Sequence, residues 1–142
     1  MMVPRRLVVA GTAGLLLPRA AGATPVQMAL LIRQMVGDAS LTEGLVKLDL
    51  PVLVENGNSV AMTLSVDAPP GAVHSLHVFA EANPLPEVLH LTFGPRAGVP
   101  RIQTRIRLAT SQTVTAIARM RDGTFRQDSI ELLVTLAACI EN

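Results

Sequence analysis

From Leu45 onward the chain alternates apolar and polar side chains with a period of two. Val60, Met62, Leu64 and Val66 interleave with Ala61, Thr63, Ser65 and Asp67. Leu76, Val78 and Ala80 repeat the pattern. Ile102, Thr104, Ile106 and Leu108 alternate with Gln103, Arg105 and Arg107; Val114, Ala116, Ala118 and Met120 follow, then Ile130, Leu132, Val134 and Leu136. A period of two puts one set of side chains on each face of a strand, so these segments read as strands with one buried face, not as helices. Asn56-Gly57 and Asp122-Gly123 read as hairpin turns, because both residue types tolerate positive φ. Pro69-Pro70-Gly71, Asn83-Pro84-Leu85-Pro86 and Gly94-Pro95 break the chain between strands. About seven short strands at this spacing predict a mainly β chain: an immunoglobulin-like antiparallel β-sandwich, with a small barrel as the alternative. The single cysteine and the absence of tryptophan exclude the Cys…Trp…Cys signature of antibody domains.

The first 44 residues follow other rules. In residues 26–36, Met28, Leu31, Ile32, Met35 and Val36 share one helical face. Pro25 suits a helix start and Gly37 a stop. This apolar helix is too short to stand alone and is expected to pack on the β-domain. Ahead of it, Arg5 and Arg6 precede an 11-residue apolar run, Leu7 to Leu17, and Ala21-Gly22-Ala23 supplies a small-x-small cleavage pattern. Residues 1–23 therefore read as a cleaved export signal. The paired arginines suggest the twin-arginine route. The run is shorter than the roughly 20 residues a bilayer span takes. The expected organisation is a leader over 1–23, a helix and linker over 24–44, a sandwich over 45–136 and a tail over 137–142.

Charge excludes some partners. Without residues 1–23 the chain loses Arg5, Arg6 and Arg19 and no acid, so nine basic side chains face eleven acidic ones and the net charge falls from +1 to −2. That is no surface for displacing counterions from nucleic acid. With no Trp, no Tyr and three Phe there is no base-stacking platform either. Once the signal is removed, no membrane span is expected.

Few residues carry chemistry. His74 and His77 fall on opposite faces of one strand by parity. His77 and His90 meet only if their strands pair; with Met62 and Met120 they would imitate a copper site. The spacing does not require this, and no metal site, cofactor or catalytic residue set is expected. Cys139 stands apart as the one thiol of an exported chain, three residues from its end. If the last strand continues, Thr135, Ala137 and Cys139 lie on the face opposite Leu132, Val134 and Leu136. A buried small residue and a reactive thiol are both open readings of Cys139.

Several segments resemble the SoxY family, periplasmic sulfur carriers of bacterial thiosulfate oxidation. They are Gly37-Asp38, Lys47-Leu-Asp-Leu-Pro51, Glu55-Asn-Gly-Asn-Ser-Val60, His77-Val-Phe-Ala-Glu-Ala-Asn-Pro-Leu-Pro86, Phe93-Gly-Pro-Arg-Ala-Gly98, Thr104-Arg-Ile-Arg-Leu-Ala109, Ser111-Gln-Thr-Val114 and Val134-Thr-Leu-Ala-Ala-Cys139. The resemblance implies an immunoglobulin-like fold, a periplasmic location and a SoxZ-like small β-protein as partner, in a heterodimer or heterotetramer. It implies covalent sulfur attachment at Cys139: a haem c enzyme joins thiosulfate to the thiol, and hydrolytic and oxidising enzymes process the cargo. The chain would be a carrier protein, not an enzyme.

The tail departs from the family pattern. A Gly-Gly-Cys-Gly-Gly arm is expected there, but Ala137, Ala138, Ile140 and Glu141 flank Cys139. Alanine stiffens an arm that glycine leaves free. The three residues from Leu136 to Cys139 reach only about 10 Å. Glu141 and the terminal carboxylate raise the thiol pKa and repel an anionic substrate. The sequence therefore also admits a SoxY-like assembly subunit that has lost its swinging arm and carries no sulfur. Arg96, in a loop, is a further candidate for attracting anions.

Overall fold

The structure, a computed structural model, describes residues 25–138. The leader over 1–23 and the tail residues Cys139, Ile140 and Glu141 lie outside the described residues. The elements run α1 (Pro25–Val36), β1 (Leu41–Glu43), β2 (Val46–Asp49), β3 (Leu53–Val54), β4 (Val60–Val66), β5 (Val73–Ala80), β6 (Glu87–Thr92), β7 (Arg101–Ile106), β8 (Gln112–Met120) and β9 (Phe125–Val134).

Two sheets form an immunoglobulin-like sandwich. The larger is ordered β1-β9-β8-β5-β6, with β3 also paired to β9; the smaller is β2-β4-β7. The alternation seen in the sequence points inward from both. Met62 and Leu64 of β4 meet Leu76 and Val78 of β5, Val114 and Ala116 of β8 and Leu132 of β9, all buried. Burial of this apolar set is the main force holding the sheets together.

The hairpin at Asp122-Gly123 forms as expected. Gly123 takes φ 88°, and the Thr124 amide and hydroxyl donate to the Asp122 carboxylate at 2.9 and 2.6 Å. These bonds hold the Asp122 carboxyl below its ordinary range.

Not every pairing is antiparallel. β1 and β3 both run parallel to β9, on different stretches of its outer edge. Between them the chain visits the smaller sheet as β2. The turn that sends it there holds Gly44 at φ 105° and Leu45 at φ 65°. Leu45 has the one positive φ among the described non-glycine residues, a conformation that costs a side-chain-bearing residue about 1 kcal/mol or more. The segment 24–44, expected to be helix and linker, thus ends in a strand.

Helix α1 covers the outer face of the larger sheet. Met28, Ile32, Met35 and Val36 pack with Leu41 on Phe79, Ile117 and Phe125. Leu31, expected on that face, is exposed instead, along with Val26 and Leu30. Gly37 closes the helix at φ 62°, its amide donating to the Arg33 carbonyl at 2.8 Å.

Two further expectations are corrected. Asn56-Gly57 is not a hairpin. It joins β3 to β4, which lie in different sheets, and Gly57 does not have positive φ. Leu136 is not in the core: β9 ends at Val134, and Leu136 is 58% exposed. The strand parity that carried Cys139 to the face opposite Leu136 therefore stops short of it.

Candidate functional site

The tail leaves β9 through a set of backbone hydrogen bonds. Thr135 donates its amide to the Val54 carbonyl at 2.9 Å, and its hydroxyl reaches the Glu55 carbonyl at 3.1 Å. The Gly57 amide donates to the Leu136 carbonyl at 2.8 Å, and the Leu108 amide to the Gly57 carbonyl at 2.8 Å. The Ala138 amide then donates to the Leu108 carbonyl at 3.2 Å. Gly57 lies at the centre of this crossing. A Cβ there would fall 2.3 Å from the Leu108 carbonyl oxygen, 3.0 Å from the Ala138 nitrogen and 3.1 Å from Val134 Cγ1. The glycine is required by close approach of three chain segments, not by its φ.

Ala137 is exposed and Ala138 is buried. Ala138 lines an open groove of about 540 Å³ with Asn83, Leu85, Glu87, Arg105 and Arg107. Asn83 shapes one wall. Its Nδ2 donates to the Arg107 carbonyl at 2.8 Å, while its Oδ1 accepts from the Ala109 amide at 2.9 Å and Gln112 Nε2 at 3.0 Å. Gln112 Oε1 accepts in turn from the Ala82 amide at 2.9 Å. The Asn83-Pro84-Leu85-Pro86 loop is thus fixed by a buried, satisfied polar network. Arg105 and Arg107 are on the exposed face of β7 and just beyond it. In the sequence they look like an ordinary wetted strand face. Only the return of the tail to Leu108 makes them neighbours of Ala138. Arg96 is exposed and does not line the groove.

A second cluster lies on the outer face of the larger sheet. His77 of β5 and His90 of β6 are direct cross-strand partners. Their rings stack with centroids 4.2 Å apart. Glu87 joins them: its Oε1 is 2.8 Å from His77 Nδ1 and 3.9 Å from His90 Nδ1. On a straight strand, residues 87 and 90 would face opposite ways. Here the register slips between Val78 and Phe79, so that Val78 pairs with Leu89 and Phe79 with Glu87. This β-bulge leaves Val88 as the extra residue and turns Glu87 onto the histidine face. Burial pushes the His77 pKa below 6.5, against the opposing hydrogen bond from Glu87. His77 Nε2 is 3.0 Å from the Ser75 hydroxyl. Met62 and Met120 lie in the core between the sheets, on the opposite face of the larger sheet from His77. The copper arrangement of His and Met is therefore not formed.

The fold and these contacts define an immunoglobulin-like β-sandwich whose residues 135–138, after β9, are hydrogen-bonded beside a groove with two arginines. The family model described as "Sulfur oxidation protein SoxY" matches residues 32–139. The chain belongs to the SoxY family. Among solved structures it is similar to the sulfur carrier protein SoxY from Chlorobium limicola f thiosulfatophilum, at 24% identity and TM-score 0.66, covering 80% of this chain and 100% of that one. It is also similar to the superoxide reductase (neelaredoxin) from Ignicoccus hospitalis, at 17% identity and TM-score 0.55, covering 78% of this chain and 93% of that one. At these identities the likeness is one of fold. A search of curated proteins found no match. Among the described residues no helix is long and apolar enough to cross a membrane.

Proposed function

We propose that the chain is a periplasmic covalent sulfur carrier with Cys139 as the attachment thiol. The family match, which ends on Cys139, supports this reading. The observation that carries it is the anchoring of Ala138, hydrogen-bonded to Leu108 at the rim of a groove lined by Arg105 and Arg107. The thiol belongs to the next residue. Arg105 and Arg107 supply positive charge at this groove, whereas Glu141 gives the tail a negative one. Positive charge near a thiol favours the thiolate and attracts an anion such as thiosulfate.

In the loading step the Cys139 sulfur bonds to the outer sulfur of thiosulfate, giving a cysteine S-thiosulfonate. One proton and two electrons leave, and a haem c partner enzyme takes the electrons. Water then cleaves the bond between the two cargo sulfurs, releasing sulfate and leaving a cysteine persulfide. Partner enzymes perform both steps; this chain supplies the handle. A SoxZ-like β-protein would dock on the exposed apolar patch of Val52, Leu53, Leu133 and Leu136, where β3 pairs with β9. A patch of this kind at a sheet edge suits a permanent partner.

Intact-mass spectrometry of the protein from sulfur-oxidising cells, with and without reductant, tests the reading. Reductant-sensitive additions of sulfur or thiosulfonate, absent from Cys139→Ser, are expected. A single unmodified mass would overturn this reading in favour of the arm-less assembly subunit.

A further inference from the structure

We propose that His77, Glu87 and His90 form a binding site for a divalent first-row transition-metal cation of the zinc or copper type. Two imidazole nitrogens and one carboxylate oxygen would hold it. All three donor atoms lie within 4.8 Å of one another. Zinc bound at 2.0–2.1 Å in a tetrahedron sets its donors about 3.3 Å apart. The spacings of 2.8 and 3.9 Å from Glu87 to the two histidines bracket that value.

The backbone builds this cluster. The pairing of His77 with His90 brings the imidazoles side by side, and the bulge at Val88 turns Glu87 onto their face. A regular strand would leave Glu87 on the other side. Bulges recur where a strand must redirect a functional side chain.

The surroundings suit a metal. His77 is held from behind: its ring packs parallel to that of Phe79, and Nε2 contacts the Ser75 hydroxyl. When a cation displaces the proton shared between Nδ1 and Glu87, Nε2–H can donate to Ser75 Oγ and leave the Nδ1 lone pair for the metal. This is how metal-bound histidines are oriented by an outer partner. His90, with 54% of its side chain exposed, is free to tilt and aim its nitrogen, and Glu87 at 39% leaves an entry path. The Glu87 carboxylate offsets the nearby positive charge of Arg119. Three ligands leave a position for water or an external ligand. Nitrogen and oxygen donors select borderline cations over calcium or magnesium, with copper(II) the tightest of the series and zinc below it. The donor set does not include the Cys139 thiol, and the proposal does not depend on the carrier reading. Glu87 also lines the groove beside Ala138, so a bound cation would add charge at that wall.

The test is equilibrium dialysis of the full chain against zinc sulfate at neutral pH, with the retained metal measured directly. Cobalt(II) substitution reports the geometry through its visible spectrum. One equivalent of zinc is expected, and cobalt should give tetrahedral bands. His90→Ala and Glu87→Gln, both at partly exposed positions, should weaken retention at least about tenfold, while Cys139→Ser leaves it unchanged. Circular dichroism confirms that each variant is folded. Failure of the wild type to retain zinc overturns the proposal. So does retention that survives in both site variants, or that disappears only with Cys139→Ser.

Discussion

Gly57→Ala should release the tail. The new Cβ would sit 2.3 Å from the Leu108 carbonyl oxygen and 3.0 Å from the Ala138 nitrogen. Both are backbone atoms, so no side-chain rotation relieves the overlap. Leu108 lies beyond β7 and the tail follows β9, so relief requires the Leu108 carbonyl to turn away from Gly57 and residues 136–138 to move off it. Moving them away breaks the Gly57–Leu136 and Ala138–Leu108 hydrogen bonds, at 2.8 and 3.2 Å. Each contributes about 1 kcal/mol, so the anchored state should lose about 2 kcal/mol. That corresponds to a roughly 30-fold rise in opening. Hydrogen exchange reads it locally: the amides of Gly57 and Ala138 should exchange about 30-fold faster, while those of Leu64, Leu76 and Ile117 change far less. In the full chain, Cys139 should react faster with a thiol reagent. Unchanged exchange at Ala138 would refute the argument, because it would mean that the crossing tolerates a Cβ and does not anchor the tail. Uniform acceleration at every amide would refute it too, since the strain would then be spread through the whole sandwich.

Asn83→Ala should cost about 2–3 kcal/mol in urea unfolding, because it leaves the Ala109 amide and the Arg107 carbonyl without their partner in a buried network; a loss under about 0.5 kcal/mol would contradict that role. His77 makes stability depend on pH. Its folded pKa lies below 6.5, so the unfolded chain binds the proton more readily; stability is full above pH 6.5 and declines as pH falls below it. Urea midpoints at about pH 7.5 and about pH 5.5 should therefore differ by more in the wild type than in His77→Gln, and equal differences would remove His77 as the cause. Leu53→Lys with Leu133→Glu, an opposite-charge pair across β3 and β9, should weaken binding of the SoxZ-like partner at least about tenfold with little change in monomer stability, since both side chains are exposed; titration calorimetry with the purified partner checks this.

What the sequence discloses and what it hides divide along one physical line. Strands β4 and β7 are legible because each alternates more exposed with more buried residues along its full length, so burial writes a period of two into the residues. Strand β6 is harder to read: the bulge at Val88 breaks the period, and its burial follows no clean alternation. The same slip hides Glu87, whose separation from His90 is wrong for a straight strand. Leu136 fails for a related reason. It continues the apolar alternation of β9, but its carbonyl is claimed by Gly57 and not by a neighbouring strand, so the period outlasts the structure that explains it. Gly57 itself reads as a turn glycine, because nothing local distinguishes a positive φ from a close approach by Leu108 and Ala138.

These misread residues share a place in the fold. Gly57, Asn83, Glu87 and the two arginines belong to the points where segments far apart in sequence cross at one end of the sandwich, and Ala138 arrives among them. Local pattern cannot encode such crossings, since their cause lies some fifty or more residues away in the chain for Gly57 and Leu108. Cys139 stands out in the sequence by being alone, and the chemistry proposed for it comes from family resemblance. The surroundings that would tune that chemistry come from the fold. Alanine in place of glycine on the tail fits this setting. An arm that must swing needs glycine, whereas one whose last described residue is hydrogen-bonded at the rim of a groove needs little freedom there. Replacing Ala137 and Ala138 together by glycine should therefore speed labelling of Cys139 and weaken protection of the amide at position 138. If labelling is unchanged, the stiffness of the tail lies in its hydrogen bonds and not in its alanines.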